Sequence, residues 1–181
     1  MTGTLLHCCC GPCACGAIDA FSERNKDFTA YFYNPNIHPY KEYQARRDSF
    51  IELMRQQNIE YILNDSYPLE SWLAEVSSDP QNRCAYCYRS RLENTAKTAA
   101  EKGFESFSTT LLISPYQNHQ LLIETGENAA SKYGVKFDYI DLRSYFRNGQ
   151  NTARAAGLYM QKYCGCIYSE KERYLNKKKE K

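Results

Sequence analysis

No run of 18 or more apolar residues occurs in the 181-residue chain, so the sequence offers no helix that would span a membrane. Met1 to Leu6 carries no basic region, no long apolar segment and no cleavage site, and it passes straight into a strand-like run. That speaks against export, and a cytoplasmic location is expected. Neither a Walker-type phosphate loop nor a G-x-G-x-x-G fingerprint is present, so neither ATP nor a tightly bound nicotinamide is expected. Repeats, low-complexity linkers and composition breaks are also missing, and the length suits a single domain over 1–181. Net charge is almost lacking, at +2, so chain-wide charge does not announce a nucleic-acid binder. Only the Lys-rich tail, 176–181, is biased in composition, and it is expected to be disordered.

What is present supports a packed core, with 43% hydrophobic and 24% charged residues. Beyond that, 9 cysteines and 16 tyrosines stand against one tryptophan. The cysteines are odd in number, clustered, and set in a chain without an export signal. In a reducing compartment such thiols bind metal or do redox chemistry rather than form disulfides.

Strand and helix signals alternate. Strands are expected at Thr4 to Cys8, Phe28 to Tyr33, Tyr61 to Leu63, Phe104 to Thr109 and Lys136 to Asp141. Gly11-Pro12 opens the first helix, and a second runs from about His38 to Gln56. A short helix follows Pro68, and another covers Cys84 to Glu101. Ser114, with Pro115 next and Gln117 three residues on, reads as the capped start of a helix to about Tyr133. A last helix is expected over Thr152 to Tyr163. This alternation predicts an α/β fold with a Rossmann-like parallel sheet and helices on both faces. Ligand sites in such sheets lie at the carboxyl ends of the strands. Cys8 to Cys13, Asn34 with Asn36, and Thr109-Thr110 all fall at strand ends, which predicts one shared site there.

Three cysteine groups recur: Cys8-Cys9-Cys10-Gly11-Pro12-Cys13 with Cys15 after it, Cys84-Ala85-Tyr86-Cys87, and Cys164-Gly165-Cys166. Soft thiolates suit zinc or iron–sulfur centres. Cys84 and Cys87, three apart at a helix start, present both sulfurs to one face. Cys164 would continue the stripe of Ala153, Gly157 and Met160 and point inward, and Gly165 permits close backbone approach. Cys10 and Cys13 stand at a helix N-terminus, where the dipole favours thiolate. Cys8 and Cys15 read as small apolar core residues. A closed zinc site would take four of the thiols and strand the others. Cys10-Gly11-Pro12-Cys13 also spells a thioredoxin-type dithiol motif, a rival reading that has no use for the remaining cysteines.

Taken together, several segments resemble the cobalamin-independent epoxyqueuosine reductase family. They are Leu6-His7 with Cys9-Cys10-Gly11-Pro12-Cys13, then Tyr33-Asn34-Pro35-Asn36-Ile37-His38-Pro39 with Glu42, Tyr43 and Arg46. Arg83-Cys84-Ala85-Tyr86-Cys87-Tyr88 with Arg91-Leu92 and Thr95-Ala96 follows. The last are Ser108 to Gln117 and Tyr163-Cys164-Gly165-Cys166-Ile167-Tyr168-Ser169. The resemblance implies a 4Fe-4S cluster beside a mononuclear iron, both held among Cys9, Cys10, Cys13, Cys84, Cys87, Cys164 and Cys166. It implies two-electron removal of the epoxide oxygen of epoxyqueuosine at the tRNA wobble position, giving queuosine, with electrons from an unidentified donor. A sulfur-transfer tRNA-modifying enzyme is the main alternative, although such enzymes carry a glycine- and serine-rich ATP loop where this chain has cysteines.

The proton that meets the departing oxygen would come from His7, Tyr86, Tyr116 or Tyr163, chosen by position. Asn34, Asn36, Arg46, Arg91 and Arg154 are the expected substrate contacts, within a wider set of basic residues that includes Lys162. Asp79 is a candidate oxygen ligand, His38 a loop or cap residue, and His119 a surface residue.

Overall fold

Five short strands form one parallel sheet in the order β3-β2-β1-β4-β5 in a computed structural model that describes residues 3–175. They are β1 (Thr4–His7), β2 (Phe28–Phe32), β3 (Tyr61–Leu63), β4 (Ser106–Thr109) and β5 (Lys136–Phe137). The tail expected to be disordered lies outside the described residues. β1 is central: His7 pairs with Tyr31 on one side and Thr109 on the other. Its four residues are all buried, as a central parallel strand covered on both faces requires, and its polar ends Thr4 and His7 bond Ser106 and Thr109 of β4.

The helices are α1 (Gly11–Ser22), α2 (Tyr40–Gln56), α3 (Leu69–Ser77), α4 (Arg83–Lys102), α5 (His119–Tyr133), α6 (Phe146–Ala155) and α7 (Ile167–Leu175). The chain steps outward from β1 through β2 to β3, then crosses back to β4 and β5. Right-handed crossovers therefore set α1 and α2 on one face and α4 with α5 on the other. The α/β class and parallel sheet expected from the sequence are present. Among the described residues no helix is long and apolar enough to cross a membrane.

Three expectations are corrected. β4 begins at Ser106, because Gly103, at φ 73°, and Phe104 close α4 instead: their N–H groups bond the carbonyls of Ala100 and Ala99. Ser114 does not cap α5. Thr109 accepts the Leu111 N–H and starts a 3-10 turn over Thr110–Ile113, and the side chain of Asn118 caps the helix through the Leu121 N–H. Gln117 accepts from the Tyr88 hydroxyl instead of closing a capping box.

The last expected helix is displaced by about two turns. α6 ends at Ala155 with Gly157 at φ 67°, where Gly157 N–H bonds Arg154 O and Leu158 N–H bonds Ala153 O, a Schellman closure. Residues 156–166 are thereby irregular, so Cys164 lies in a loop and not on a helical stripe. α6 packs against α1 by near contact of two glycines: a methyl on Gly149 would stand 2.7 Å from the Gly16 nitrogen.

Candidate metal centre

The carboxyl ends of β1, β2 and β4 are tied together by His7, which is wholly buried. Its Nε2–H donates to the Tyr33 carbonyl at 3.0 Å. Nδ1 therefore accepts from the Thr109 hydroxyl at 2.9 Å, and that oxygen in turn accepts the Leu111 N–H. Burial first, and nearby Arg91 second, lower the imidazole pKa to about 4. His7 is thus a neutral cross-tie with its one proton committed, and not the free acid expected from its position.

Above this tie stand Cys9, Cys10 and Cys13, whose sulfurs all lie within 4.8 Å of one another. Cys9 is held by its N–H to Thr110 Oγ1 at 3.1 Å, a bond across the β1/β4 crevice where the strand order reverses. Cys10 is extended and leads into α1 through Gly11, which has no space for a side chain because a methyl would come 2.6 Å from Ser49 Oγ. Hydrogen bonds from Cys10 and Cys13 pull the Cys9 thiol well below its ordinary value. Burial pushes Cys10 up, and hydrogen bonding to Cys10 pushes Cys13 up. Tetrahedral bonds of about 2.3 Å set thiolates about 3.8 Å apart. The Cys9–Cys10 sulfur separation is 3.7 Å. The trio has the spacing of ligands to a single ion.

Cys84, Cys87, Cys164 and Cys166 form a second group. Cys84 and Cys87 lie one turn apart at the start of α4. Cys164 and Cys166 flank Gly165, at φ 131°, with their sulfurs 3.8 Å apart. A hydrogen bond from Cys166, then one from Ser169, lowers the Cys164 pKa to about 5. Cys87 and Cys166 are buried with Trp72 and Val76, and Trp72 Nε1–H donates to Cys87 Sγ at 3.4 Å. Arg91 is buried, bonds the Cys87 carbonyl at 2.8 Å, and its charge favours the thiolates of Cys84, Cys87 and Cys164. Among the described residues only the first trio meets the tight spacing of a single ion. The second set does not meet that spacing.

Several buried polar atoms around these thiols have no hydrogen-bond partner: Oδ1 of Asn34 and of Asn36, both ring nitrogens of His38, and Oε1 of Gln161. The His38 ring packs on Trp72 with centroids 4.6 Å apart. Unpaired buried polar atoms are uncommon. Their gathering beside seven thiols fits residues arranged to hold an inorganic group.

A cavity of about 570 Å³ opens onto Cys9, Cys13 and Cys164. At its rim Tyr116 is 85% exposed and meets Phe146 edge-on at 6.0 Å. Arg154, Lys162 and Arg173 supply positive charge there.

Other expected site residues are placed differently. Arg46 is buried and spent on protein groups: Nε and Nη2 donate to Glu42, Nη2 also to the Tyr163 carbonyl and Nη1 to the Cys164 carbonyl. Arg46 lines the same cavity as exposed Arg154, but its donors are taken up by these protein groups, and Arg91 is buried away from it. Tyr163 donates its hydroxyl proton to the His38 carbonyl at 2.5 Å, and Tyr86 lines a separate hollow beside Arg89. Asp79 is exposed and caps the turn Pro80–Asn82. Asn34 Nδ2–H holds the Cys8 carbonyl, while Cys8 and Cys15 are core residues. His38 lies in the loop before α2, as expected, and is buried there, while His119 is a surface partner of Tyr139. Cys10 is 1% exposed with a raised pKa, the opposite of an attacking dithiol cysteine. Trp72 and Gln161 were not singled out in the sequence; the lone tryptophan, whose N–H needs a partner when buried, was the available signal.

The chain matches the family model described as Epoxyqueuosine reductase QueH over residues 4–172. It is 39% identical over 170 residues to the epoxyqueuosine reductase QueH of Dehalococcoides mccartyi, covering 94% of this chain and 93% of that one. To the protein of the same name from Thermotoga maritima it is 35% identical, covering 96% and 93%. The corresponding protein of Acinetobacter baylyi is 35% identical, with 91% and 79% covered. The chain belongs to the epoxyqueuosine reductase QueH family.

Proposed function

From its membership of that family, we propose that this chain is an oxidoreductase that converts epoxyqueuosine in tRNA to queuosine. Two electrons and two protons enter, both carbon–oxygen bonds of the epoxide break, an alkene forms and water leaves. The observation that supports this reading is the tight trio of Cys9, Cys10 and Cys13 at the strand ends, with Cys164 lining the same cavity. A 4Fe-4S cluster on Cys84, Cys87, Cys164 and Cys166, and one iron on Cys9, Cys10 and Cys13, would supply electrons and a Lewis acid there.

The chain's own groups do the rest. Arg91 and the Trp72 N–H stabilise negative sulfur, and His7 keeps the three strand ends in register. Tyr116 and Phe146 offer an aromatic platform for an unstacked base, while Arg154, Lys162 and Arg173 meet phosphates. Of the four proton-donor candidates, Tyr116 combines a place on this cavity with a hydroxyl not already bonded to the protein, and it is the donor in this reading.

Single-turnover incubation of the anaerobically reconstituted protein with epoxyqueuosine-containing tRNA and dithionite tests the reading. Conversion to queuosine is expected; unchanged epoxyqueuosine with fully loaded protein would contradict it.

A further inference from the structure

From Leu142 to Ser169 the chain carries Arg143, Arg147, Arg154 and Lys162 and no Asp or Glu. The whole protein has a net charge of only +2, so its near-neutrality hides a local positive excess. That excess lies along α6 and the loop after it.

α6 turns its sides to three surroundings. Gly149 and Ala153 face inward. A methyl on Gly149 would stand 2.7 Å from the Gly16 nitrogen and 3.2 Å from the Pro12 carbonyl oxygen, so α6 is pressed onto the part of α1 that carries Cys13. Phe146, Gln150 and Arg154, at four-residue intervals, line the cavity that opens onto Cys9 and Cys13. Just outside that rim, further round the helix, Arg147 and Asn151 are exposed. Arg147 and Arg154 are seven residues apart, close to two full turns, so they share a side at a separation of about 10 Å. Asn151 lies between them, and its Oδ1 accepts from Arg154 Nη1 at 3.0 Å. Arg143 is taken up by Asp141, and Asn148 by Asp19. Arg147 has neither an ion pair nor a hydrogen bond to any described residue.

An exposed arginine alone is an ordinary surface residue. This stripe is set apart because it continues the cavity rim, meets no acid on its own helix, and is fixed rigidly to the helix that carries a site thiol. A polyanion that places one nucleotide in the cavity must lead its backbone past the rim. There the stripe offers guanidinium and amide donors, which suit phosphate and ribose hydroxyl groups and read no base.

We propose that the outer stripe of α6, from Arg154 through Asn151 to Arg147, is the docking face for the RNA backbone that flanks the target nucleotide. Contacts there would hold the strand in its approach to the thiols without touching the reacting carbons. The inference rests on the reading that a tRNA nucleotide enters this cavity, and the test separates the two.

Binding to epoxyqueuosine-containing tRNA is measured across a salt series for the reconstituted parent, Arg147→Glu, Arg147→Lys and Lys102→Glu. Lys102 is an exposed control at the far end of α4, beside the amino ends of the strands. Arg147→Glu should weaken binding about tenfold and flatten the slope of log K against log salt by about one unit. Arg147→Lys should restore the slope, because the slope counts charges at phosphates, and Lys102→Glu should match the parent. Parent-like affinity and slope in Arg147→Glu, or an equal loss in Lys102→Glu, would overturn the proposal. Conversion to queuosine by the parent is followed in the same samples. A parent that binds but does not convert would overturn the reaction and leave the docking face standing; a parent that does neither would overturn both.

Discussion

Arg46 Nη1 donates to the carbonyl of Cys164 at 3.0 Å, joining the middle of α2 to the third cysteine pair. The same guanidinium is paired with buried Glu42 and fixed beneath the Tyr163 ring. One side chain thus positions the loop that carries Cys164 and Cys166, and its substitution should be felt as lost stability rather than lost RNA affinity.

Arg46→Met strands the Glu42 carboxylate, and a broken buried ion pair costs about 3–5 kcal/mol. Urea unfolding of the metal-free chain should show that loss. Arg46→Lys should recover little of it, because one ammonium cannot serve Glu42 and two carbonyls in the planar fork's directions. Parent-like stability in Arg46→Lys would contradict the clamp.

Trp72→Phe keeps the ring against His38 but removes the N–H donated to Cys87 Sγ. Hydrogen bonds to cluster thiolates raise the reduction potential. A loss of about 1 kcal/mol for one electron corresponds to a midpoint about 40 mV more negative. An EPR-monitored redox titration measures it, at unchanged iron and sulfide content.

Lys162→Glu and Arg154→Glu should each weaken tRNA binding and flatten the dependence of log K on log salt by about one unit. Filter binding across a salt series decides this. An unchanged slope in both would place the RNA elsewhere.

The pH dependence of stability should carry the signature of His38, which burial holds at a pKa of about 4. Unfolding restores an ordinary value of about 6.5, so between these values the unfolded chain binds the extra proton. The neutral ring's contribution is complete above pH 6.5 and declines as pH falls toward 4. Its full size is about 3 kcal/mol. Urea midpoints of the metal-free chain at pH 7.5 and 5 should differ by less in His38→Asn than in the parent.

The sheet, its parallel sense and the position of the cysteines at its edge were legible in the sequence because apolar strands and turn residues mark them locally. Helix ends were less so. Ser114-Pro115 carries a good cap signal that lost to Thr109 and Asn118, each of which bonds an N–H that the actual turns leave open. Gly157 looked like one more small residue on a helical face, yet its positive φ ends α6. Arg46 and Arg91 stood beside exposed Arg154 as expected substrate contacts because sequence shows charge but not their burial. The placement of Cys164 and Cys166 was invisible for a similar reason: it depends on a loop between α6 and α7 that long-range bonds from Arg46 and Tyr159 hold down.

The most direct test is iron and sulfide analysis of anaerobically reconstituted parent, Cys10→Ser and Cys87→Ser proteins. A cluster plus one ion predicts about five irons and about four sulfides in the parent. Cys10→Ser should lose about one iron and keep its sulfide, while Cys87→Ser should lose most of both. Sulfide lost from Cys10→Ser and retained in Cys87→Ser, or zinc without sulfide in the parent, would contradict the division of the seven thiols.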